Sequence, residues 1–177
     1  MRQKILAVLI VIGLTAPLAW SQEVEGDLEN QDIYGPAQGD WEFTLSGTGS
    51  ADHNFNNGTF GVNASIGYYV FEVLQINVRQ DIDIAGSSTS GSTRIGADYV
   101  FDFDRFRPFV GANIGGVYGN DNSGVDDDFI ASLEGGLKYY VKPKTFVFGQ
   151  LEYQWLTEES FTDDGRFVYS LGIGFNF

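Results

Sequence analysis

Apolar and polar side chains alternate along the sequence from residue 40 onward. The pattern is clearest at the end of the chain, where every second residue from Tyr169 to Phe177 is apolar and Ser, Gly or Asn stands between them. Successive side chains of a β-strand point to opposite faces, so this period of two predicts a strand with one apolar face. Eight runs show the pattern, least clearly the fifth, and they are Asp40–Ala51, Thr59–Val70, Leu74–Ile84, Ser92–Phe101, Arg107–Gly119, Phe129–Val141, Phe146–Thr157 and Arg166–Phe177.

The connections between these runs alternate in length. Short connections lie at 71–73, 102–105 and 142–144, and longer ones lie at 52–58, 85–91, 120–128 and 158–165. Short turns at one end and long loops at the other are typical of membrane barrels, whose short turns face the periplasm. An even number of strands then places both chain ends on the periplasmic side.

Aromatic residues concentrate near the ends of the predicted strands. Two such belts suit the two membrane interfaces, where a ring has one apolar and one wet neighbour. A secreted barrel of lipocalin type is the alternative, but a barrel that is polar outside has no reason for this banding. The sequence therefore predicts an all-β fold, an eight-stranded antiparallel up-and-down transmembrane β-barrel. The belts are Trp41, Phe43, Tyr68, Tyr99, Phe101, Phe106, Tyr139, Phe175 and Phe177 near the short turns, and Phe60, Tyr118, Phe129, Trp155 and Phe167 near the long loops.

The first 39 residues do not follow the alternation. Arg2 and Lys4 precede a short apolar run, and Ala19 and Ser21 place small residues where a signal peptidase cleaves, so residues 1–21 are predicted to be a cleaved signal peptide. The apolar run is shorter than the roughly 18 residues that a membrane helix needs. Residues 22–39 carry five acidic side chains without a sustained period, which predicts a flexible acidic periplasmic leader. The barrel domain is predicted to span residues 40–177.

Composition and charge exclude several classes of function. The net charge of −14 becomes −16 after removal of a signal that carries two basic residues and no acid, so nucleic acid is not an expected partner. The absence of cysteine excludes disulfides, thiolate metal sites, a cysteine nucleophile and a lipidated Cys. The 23 Gly, 15 Phe, 9 Tyr and 3 Trp favour strands joined by tight turns over a helical bundle.

The last strand resembles the closing strand of bacterial outer-membrane β-barrels, in which a terminal Phe pattern serves as an assembly signal. By that resemblance, the barrel assembly machinery would recognise the outward residues Tyr169, Leu171, Ile173, Phe175 and Phe177. Residues 40–177 as a whole resemble the small OmpA/OmpX-type barrels. The resemblance implies a monomer in the outer membrane of a Gram-negative bacterium, in contact with outer-membrane lipid and lipopolysaccharide. It implies a structural or surface-interaction role and does not identify a subfamily.

Candidate catalytic residues are few. Some eight-stranded barrels modify lipid A and use a His with a Ser or an acidic partner, and the only histidine here is His53, beside Asp52. A general base needs a nucleophile within hydrogen-bond reach, and Ser87, Ser88 and Ser90 in the next predicted long loop are the only nearby candidates. Serines are expected in loops in any case, so the sequence predicts a solvated loop histidine, no catalytic residue and no cofactor. A lipid A-modifying enzyme stays an alternative.

Two predicted outer loops are strongly acidic. Asp121 and Asp126–Asp128 lie in one, and Glu158, Glu159, Asp163 and Asp164 lie in the next. Their spacing does not follow a known calcium-binding motif, so we predict no metal site and interpret the charge as favouring solubility and repelling like surfaces. A weak divalent site that bridges to lipopolysaccharide phosphates is the alternative. The same loops could receive an extracellular partner.

The inward positions of the predicted strands carry charges of both signs. If the third and fourth strands pair about residues 87–89, Arg79 faces Asp98 and Arg94 faces Asp83. A turn centred on Pro143 sets Glu134 opposite Glu152, and these carboxylates repel each other unless a cation reaches between them. Lys138, Arg79 or Arg94 could supply that cation across the narrow lumen. The predicted network is Arg79, Arg94, Asp83, Asp98, Glu134, Lys138 and Glu152.

This network is predicted to fill the interior and to block ion flow. Charges that are separately solvated by water in the lumen are the alternative arrangement. A small pore for ions or solutes is the corresponding alternative function.

Overall fold

The structure, a computed structural model, describes residues 33–51, 59–85, 88–119, 128–156 and 165–177. The predicted signal peptide, most of the leader, His53 and most of the acidic loop residues lie outside the described residues. Among the described residues, no helix has the length and hydrophobicity needed to cross a membrane.

Eight antiparallel strands close into one barrel in chain order, and β8 pairs with β1 to complete the ring. This confirms the predicted fold class. The last residue takes part in the closure, because Phe177 and Trp41 exchange two backbone hydrogen bonds of 2.9 Å each. The strands are β1 (Trp41–Ala51), β2 (Thr59–Phe71), β3 (Leu74–Ala85), β4 (Ser88–Val100), β5 (Phe106–Gly119), β6 (Asp128–Lys142), β7 (Thr145–Leu156) and β8 (Arg166–Asn176).

The alternation of side chains places the apolar face outside and the polar face inside. On β6, Leu133 is 56% exposed while its neighbour Glu134 is 6% exposed. Leu171 on β8 is 73% exposed, whereas the inward Ser170 is buried. This distribution is opposite to that of a soluble barrel and suits a wall that faces lipid.

Outward aromatic rings pack in pairs near the strand ends. Near the short turns, Trp41 lies 5.2 Å from Tyr68 and Phe106 lies 4.9 Å from Tyr139, measured between ring centroids. Towards the long loops, the tilted rings of Tyr153 and Phe167 pack with their centroids 4.9 Å apart. These belts match the aromatic girdles that flank the apolar band of membrane barrels.

The predicted pairing of β3 with β4 was wrong. Arg79 pairs with Arg94 instead of Asp98, and Asp83 pairs with Ser90 instead of Arg94. The reason is that β4 begins at Ser88, four residues earlier than predicted, so the two strands run together as far as the pair of Ala85 and Ser88. Only residues 86 and 87 separate them, and the predicted long connection is a short one.

Candidate functional site

The lumen contains buried charges at three levels, each held by ion pairs. A charge that leaves water must be paired and hydrogen-bonded, so the partners of each group describe the site. The eight charged side chains at these levels are less than 8% exposed, and they are Glu42, Arg79, Asp81, Arg94, Asp98, Glu134, Lys138 and Glu152.

The middle level is centred on Arg79 of β3. Its guanidinium crosses the lumen to both oxygens of Glu134 on β6, and its Nη2 donates to Asp98 Oδ2 at 3.1 Å. Two amides complete the group, because Asn77 Nδ2 donates to Asp98 Oδ2 at 2.8 Å and Gln150 Nε2 donates to Glu134 Oε2 at 2.6 Å. Arg79 therefore joins carboxylates from two walls of the barrel in the two-pronged geometry that suits a guanidinium.

The next level towards the long loops is centred on Arg94 of β4. Its Nη1 reaches Glu152 on β7 across the lumen, and its Nη2 donates to Asp81 Oδ2 at 2.6 Å. Ser92 Oγ donates to the same Asp81 oxygen at 2.8 Å, and Gln154 Nε2 donates to Glu152 Oε1 at 3.0 Å. Arg94 thus binds Asp81, two residues before the predicted partner Asp83, as the corrected strand register requires.

Glu134 and Glu152 are direct cross-strand neighbours on β6 and β7, as the turn centred on Pro143 predicts. Each carboxylate has its own arginine from the far side of the lumen, Glu134 with Arg79 and Glu152 with Arg94. The pair of arginines therefore faces the pair of glutamates across the lumen. The attraction between the two pairs offsets the repulsion within each.

The level nearest the short turns joins Lys138 to Glu42. Lys138 Nζ lies 2.7 and 2.9 Å from the two Glu42 carboxylate oxygens and 3.1 Å from the Tyr69 hydroxyl. The Tyr69 hydroxyl in turn donates to Glu42 Oε2 at 2.8 Å. The structure therefore does not place Lys138 between Glu134 and Glu152, and its partner Glu42 was not predicted. Glu42 is an inward residue of β1, and only the closure of the barrel brings it opposite β6.

Asp83 lies outside these three levels. It borders a space of about 10 Å³ near the long-loop end, together with Thr48 and Arg166. A second space of about 20 Å³ lies between the Lys138 and Arg79 levels. A cavity needs about 10–15 Å³ to hold one water molecule, so each space has room for about one water.

Apolar side chains fill the lumen at the short-turn end. Tyr140 packs on Phe146 with ring centroids 5.0 Å apart, and Phe148 follows at 6.1 Å from Phe146. A second cluster joins the inward residues Tyr69, Val100 and Phe109. We call these six side chains the aromatic floor. The alternation alone did not indicate an apolar layer inside a polar lumen.

A segment before β1, residues 33–40, lies across the mouth below this floor, and we call it the amino-terminal strap. At its start, Gly35 N–H donates to Pro143 O at 3.0 Å and Arg107 Nη2 donates to Tyr34 O at 2.7 Å. At its end, Gly39 N–H donates to Tyr69 O at 2.9 Å. The flexible leader that the sequence predicts extends over this segment as far as residue 39. The residues that hold the segment here are distant from it in the chain.

The strap spans the barrel from wall to wall. Arg107 belongs to β5, which lies opposite β1 in a closed ring of eight strands, and the strap continues directly into β1. Tyr34 packs against the floor residues Tyr140, Phe146 and Phe148, and the Arg105 guanidinium carbon lies 4.1 Å from the centre of its ring. The strap and the aromatic floor together cover the short-turn mouth.

The residues of the predicted assembly signal lie on the outer surface of β8 and at its end. Tyr169, Leu171, Ile173 and Phe175 are outward and exposed, and Phe177 is 58% exposed. This arrangement leaves the side chains accessible; their role in assembly stays a prediction.

The family described as "Outer membrane protein beta-barrel domain" matches residues 5–177 of the chain. No curated protein has a matching sequence.

Among solved structures, the N-terminal β-barrel domain of Pseudomonas aeruginosa OprF aligns with a TM-score of 0.63 at 23% identity, covering 80% of this chain and 100% of that one. Neisserial surface protein A aligns with a TM-score of 0.61 at 18% identity over 78% of this chain and 96% of that one. The outer membrane protein OprG of Pseudomonas aeruginosa gives a TM-score of 0.61 at 12% identity over 82% and 99%. These likenesses show the fold.

Proposed function

Because the chain belongs to the outer membrane protein β-barrel domain family, we propose that it is an integral outer-membrane protein with a structural or surface-interaction role and a lumen closed by its own side chains. Its location is the bacterial outer membrane. The observation that carries the closed lumen is the pair of ion pairs that cross it, Arg79 with Glu134 and Arg94 with Glu152.

Opening a path for ions would require breaking these contacts. Separating a buried ion pair leaves uncompensated charges and costs about 3–5 kcal/mol. Eight strands enclose a space that side chains can just fill, and the spaces beside Arg79 and Arg166 have room for about one water each. The aromatic floor and the strap support closure at the short-turn end as well.

Planar bilayer recordings of the purified protein test the closed lumen. We expect no steady conductance from the wild type. Because the aromatic floor and the strap close the short-turn end separately, we expect an increase when Arg79→Ala and Arg94→Ala are combined with Tyr34→Ala and Phe146→Ala. Lys144→Ala is the control, because Lys144 forms an exposed ion pair with Asp40 at the rim. A steady wild-type conductance that Arg79→Ala does not change would contradict the proposal and favour the alternative of a small pore.

The structural or surface role rests on the family and on the acidic segments 120–128 and 158–165. We propose that these segments face the outside, where they are available to an extracellular partner, and that the protein acts as a monomer without enzymatic activity. Deleting either segment should leave insertion intact and abolish adhesion or binding of a host factor. Lipid A mass spectrometry on cells that express the protein tests the enzyme alternative, since an altered lipid A mass would contradict the non-catalytic role.

A further inference from the structure

The described part of the lipid-facing wall contains a polar spot. In the described part of this wall, and away from the short turns, Gln80 and Thr93 are the outward side chains that are polar without being aromatic. They are direct cross-strand neighbours on β3 and β4. A polar side chain in contact with lipid is costly unless it is hydrogen-bonded, so two of them side by side need an explanation.

These two side chains are joined to Tyr118 of β5. Thr93 Oγ1 donates to Gln80 Oε1 at 2.7 Å. Gln80 Nε2 donates to the Tyr118 hydroxyl and, at 3.1 Å, to the Asp81 carbonyl. We call Gln80, Thr93 and Tyr118 the polar patch.

Gly91 allows the tyrosine to take part in the patch. Tyr118 pairs across the sheet with Gly91, and a Cβ at Gly91 would lie only 2.7 Å from Tyr118 Cε2. The ring therefore lies directly on the backbone of β4, which brings its hydroxyl to Gln80.

The depth of the patch is set by its neighbours. Val78 and Ile95 lie next to Gln80 and Thr93 on the side of the short turns, within the apolar band, and Tyr118 lies one residue from the end of β5 at the long-loop end. Ile82, which follows Gln80 on the outer face towards the long loops, is 49% exposed. The patch therefore lies within the apolar band and extends towards its long-loop end.

The hydrogen bonds within the patch leave both donor and acceptor capacity. The Tyr118 hydroxyl accepts from Gln80 and lies 3.5 Å from Thr93 Oγ1. That distance is long for a hydrogen bond between hydroxyls, so an acceptor on a ligand can compete for the Tyr118 hydrogen. Thr93 donates to Gln80, so its oxygen retains lone pairs, and Gln80 Oε1 has a second lone pair. A ligand with a hydroxyl or a secondary amide can donate a hydrogen bond to the patch and accept one from it at the same time. An ester has no hydrogen to donate and can only accept.

We propose that the polar patch is a binding site for an acylated glycolipid of the outer leaflet whose chains carry hydroxyl or amide groups. A glycerophospholipid with ester-linked chains would use only the Tyr118 donor and would be held more weakly. The inference concerns the outer wall and is independent of whether the lumen conducts.

The test uses the full-length protein, reconstituted into phosphatidylcholine vesicles with or without purified lipopolysaccharide. Mass spectrometry after detergent exchange counts the lipopolysaccharide molecules retained per protein. The variants are Tyr118→Phe, which keeps the ring and removes the hydroxyl, and Gln80→Leu with Thr93→Val, which keeps the approximate shape. Thr145→Val is the control, because it removes an outward hydroxyl at the opposite end of the barrel.

We expect retention to fall about tenfold in both patch variants and to be unchanged in the control. Circular dichroism establishes that each variant is folded, and Tyr118→Phe decides the outcome if the double variant does not fold. Equal retention by all proteins would overturn the proposal. A wild type that dimerises in phosphatidylcholine alone, through a contact that Tyr118→Phe abolishes, would also overturn it by assigning the patch to a second copy of the chain.

Discussion

Arg79 and Arg94 are direct cross-strand neighbours, yet each reaches across the lumen to a different glutamate of a neighbouring pair, Glu134 and Glu152. Like charges that lie directly opposite each other on a sheet repel. Here the repulsion on each wall is offset by attraction across the lumen. The four groups therefore stabilise one another as a set, and loss of a single member leaves its partner with less compensation.

The first prediction concerns one member of this set. Glu134→Gln should destabilise the protein by about 3–5 kcal/mol, because it breaks a buried ion pair and leaves the Arg79 charge with less compensation. Urea unfolding in lipid vesicles, followed by tryptophan fluorescence, measures the change in free energy.

Lys144→Gln is the matched control for this prediction. It removes one ion pair with a carboxylate, but Lys144 is exposed at the rim, and an exposed pair contributes about 1 kcal/mol or less. Equal losses in the two variants would show that burial does not set the strength of the lumen contacts.

The sequence predicted contacts between neighbouring strands where a recognisable turn joins the two strands and sets their register. Glu134 and Glu152 could be paired because Pro143 marks the turn between β6 and β7. Asp81 was missed because the small polar residues that begin β4 resemble a loop, so the predicted register of β3 and β4 was wrong.

Among the contacts between distant parts of the chain, the narrow lumen indicated only that Arg79 or Arg94 could reach Glu134 and Glu152. The others could not be predicted in this way. The pairing of Lys138 with Glu42 depends on the closure of the barrel, which brings β6 near β1. The amino-terminal strap has no hydrophobic period, and its position depends on Arg107 and Pro143, far away in the sequence.

The second prediction concerns the lipid-facing wall. Leu133→Arg should cost about 2–4 kcal/mol if Leu133 lies near the middle of the membrane, because the charge must leave water. Val141→Arg is its control on the same face of β6, close to the short-turn end, where the same change should cost about 0–1 kcal/mol. The difference in unfolding free energy between the two variants measures the dependence on depth, and equal costs would place both residues at the same depth.

The third prediction separates the assembly signal from the closure of the barrel. Phe177→Asp keeps the backbone hydrogen bonds to Trp41 and changes only an exposed side chain. We expect the variant to refold into vesicles like the wild type but to reach the outer membrane of cells at severalfold lower levels. Phe103→Asp is the control, because Phe103 is also exposed at the short-turn end. Normal surface levels of Phe177→Asp would show that recognition depends on other residues.

The last prediction concerns the strap and uses its two glycines. Gly35 has φ +104° and Gly39 has φ +93°, so an alanine at either position should cost about 1–2 kcal/mol through the backbone alone. Their surroundings differ, because a Cβ at Gly35 would lie 2.2 Å from the guanidinium carbon of Arg107, whereas a Cβ at Gly39 would have no atom within 4 Å. Gly35→Ala should therefore also displace Arg107 from Tyr34 and loosen the strap. Hydrogen exchange of the amide at position 35, which donates to Pro143, should be accelerated more by Gly35→Ala than by Gly39→Ala. If both variants accelerate the exchange of this amide equally, contact with Arg107 is not what holds the strap across the short-turn end of the barrel.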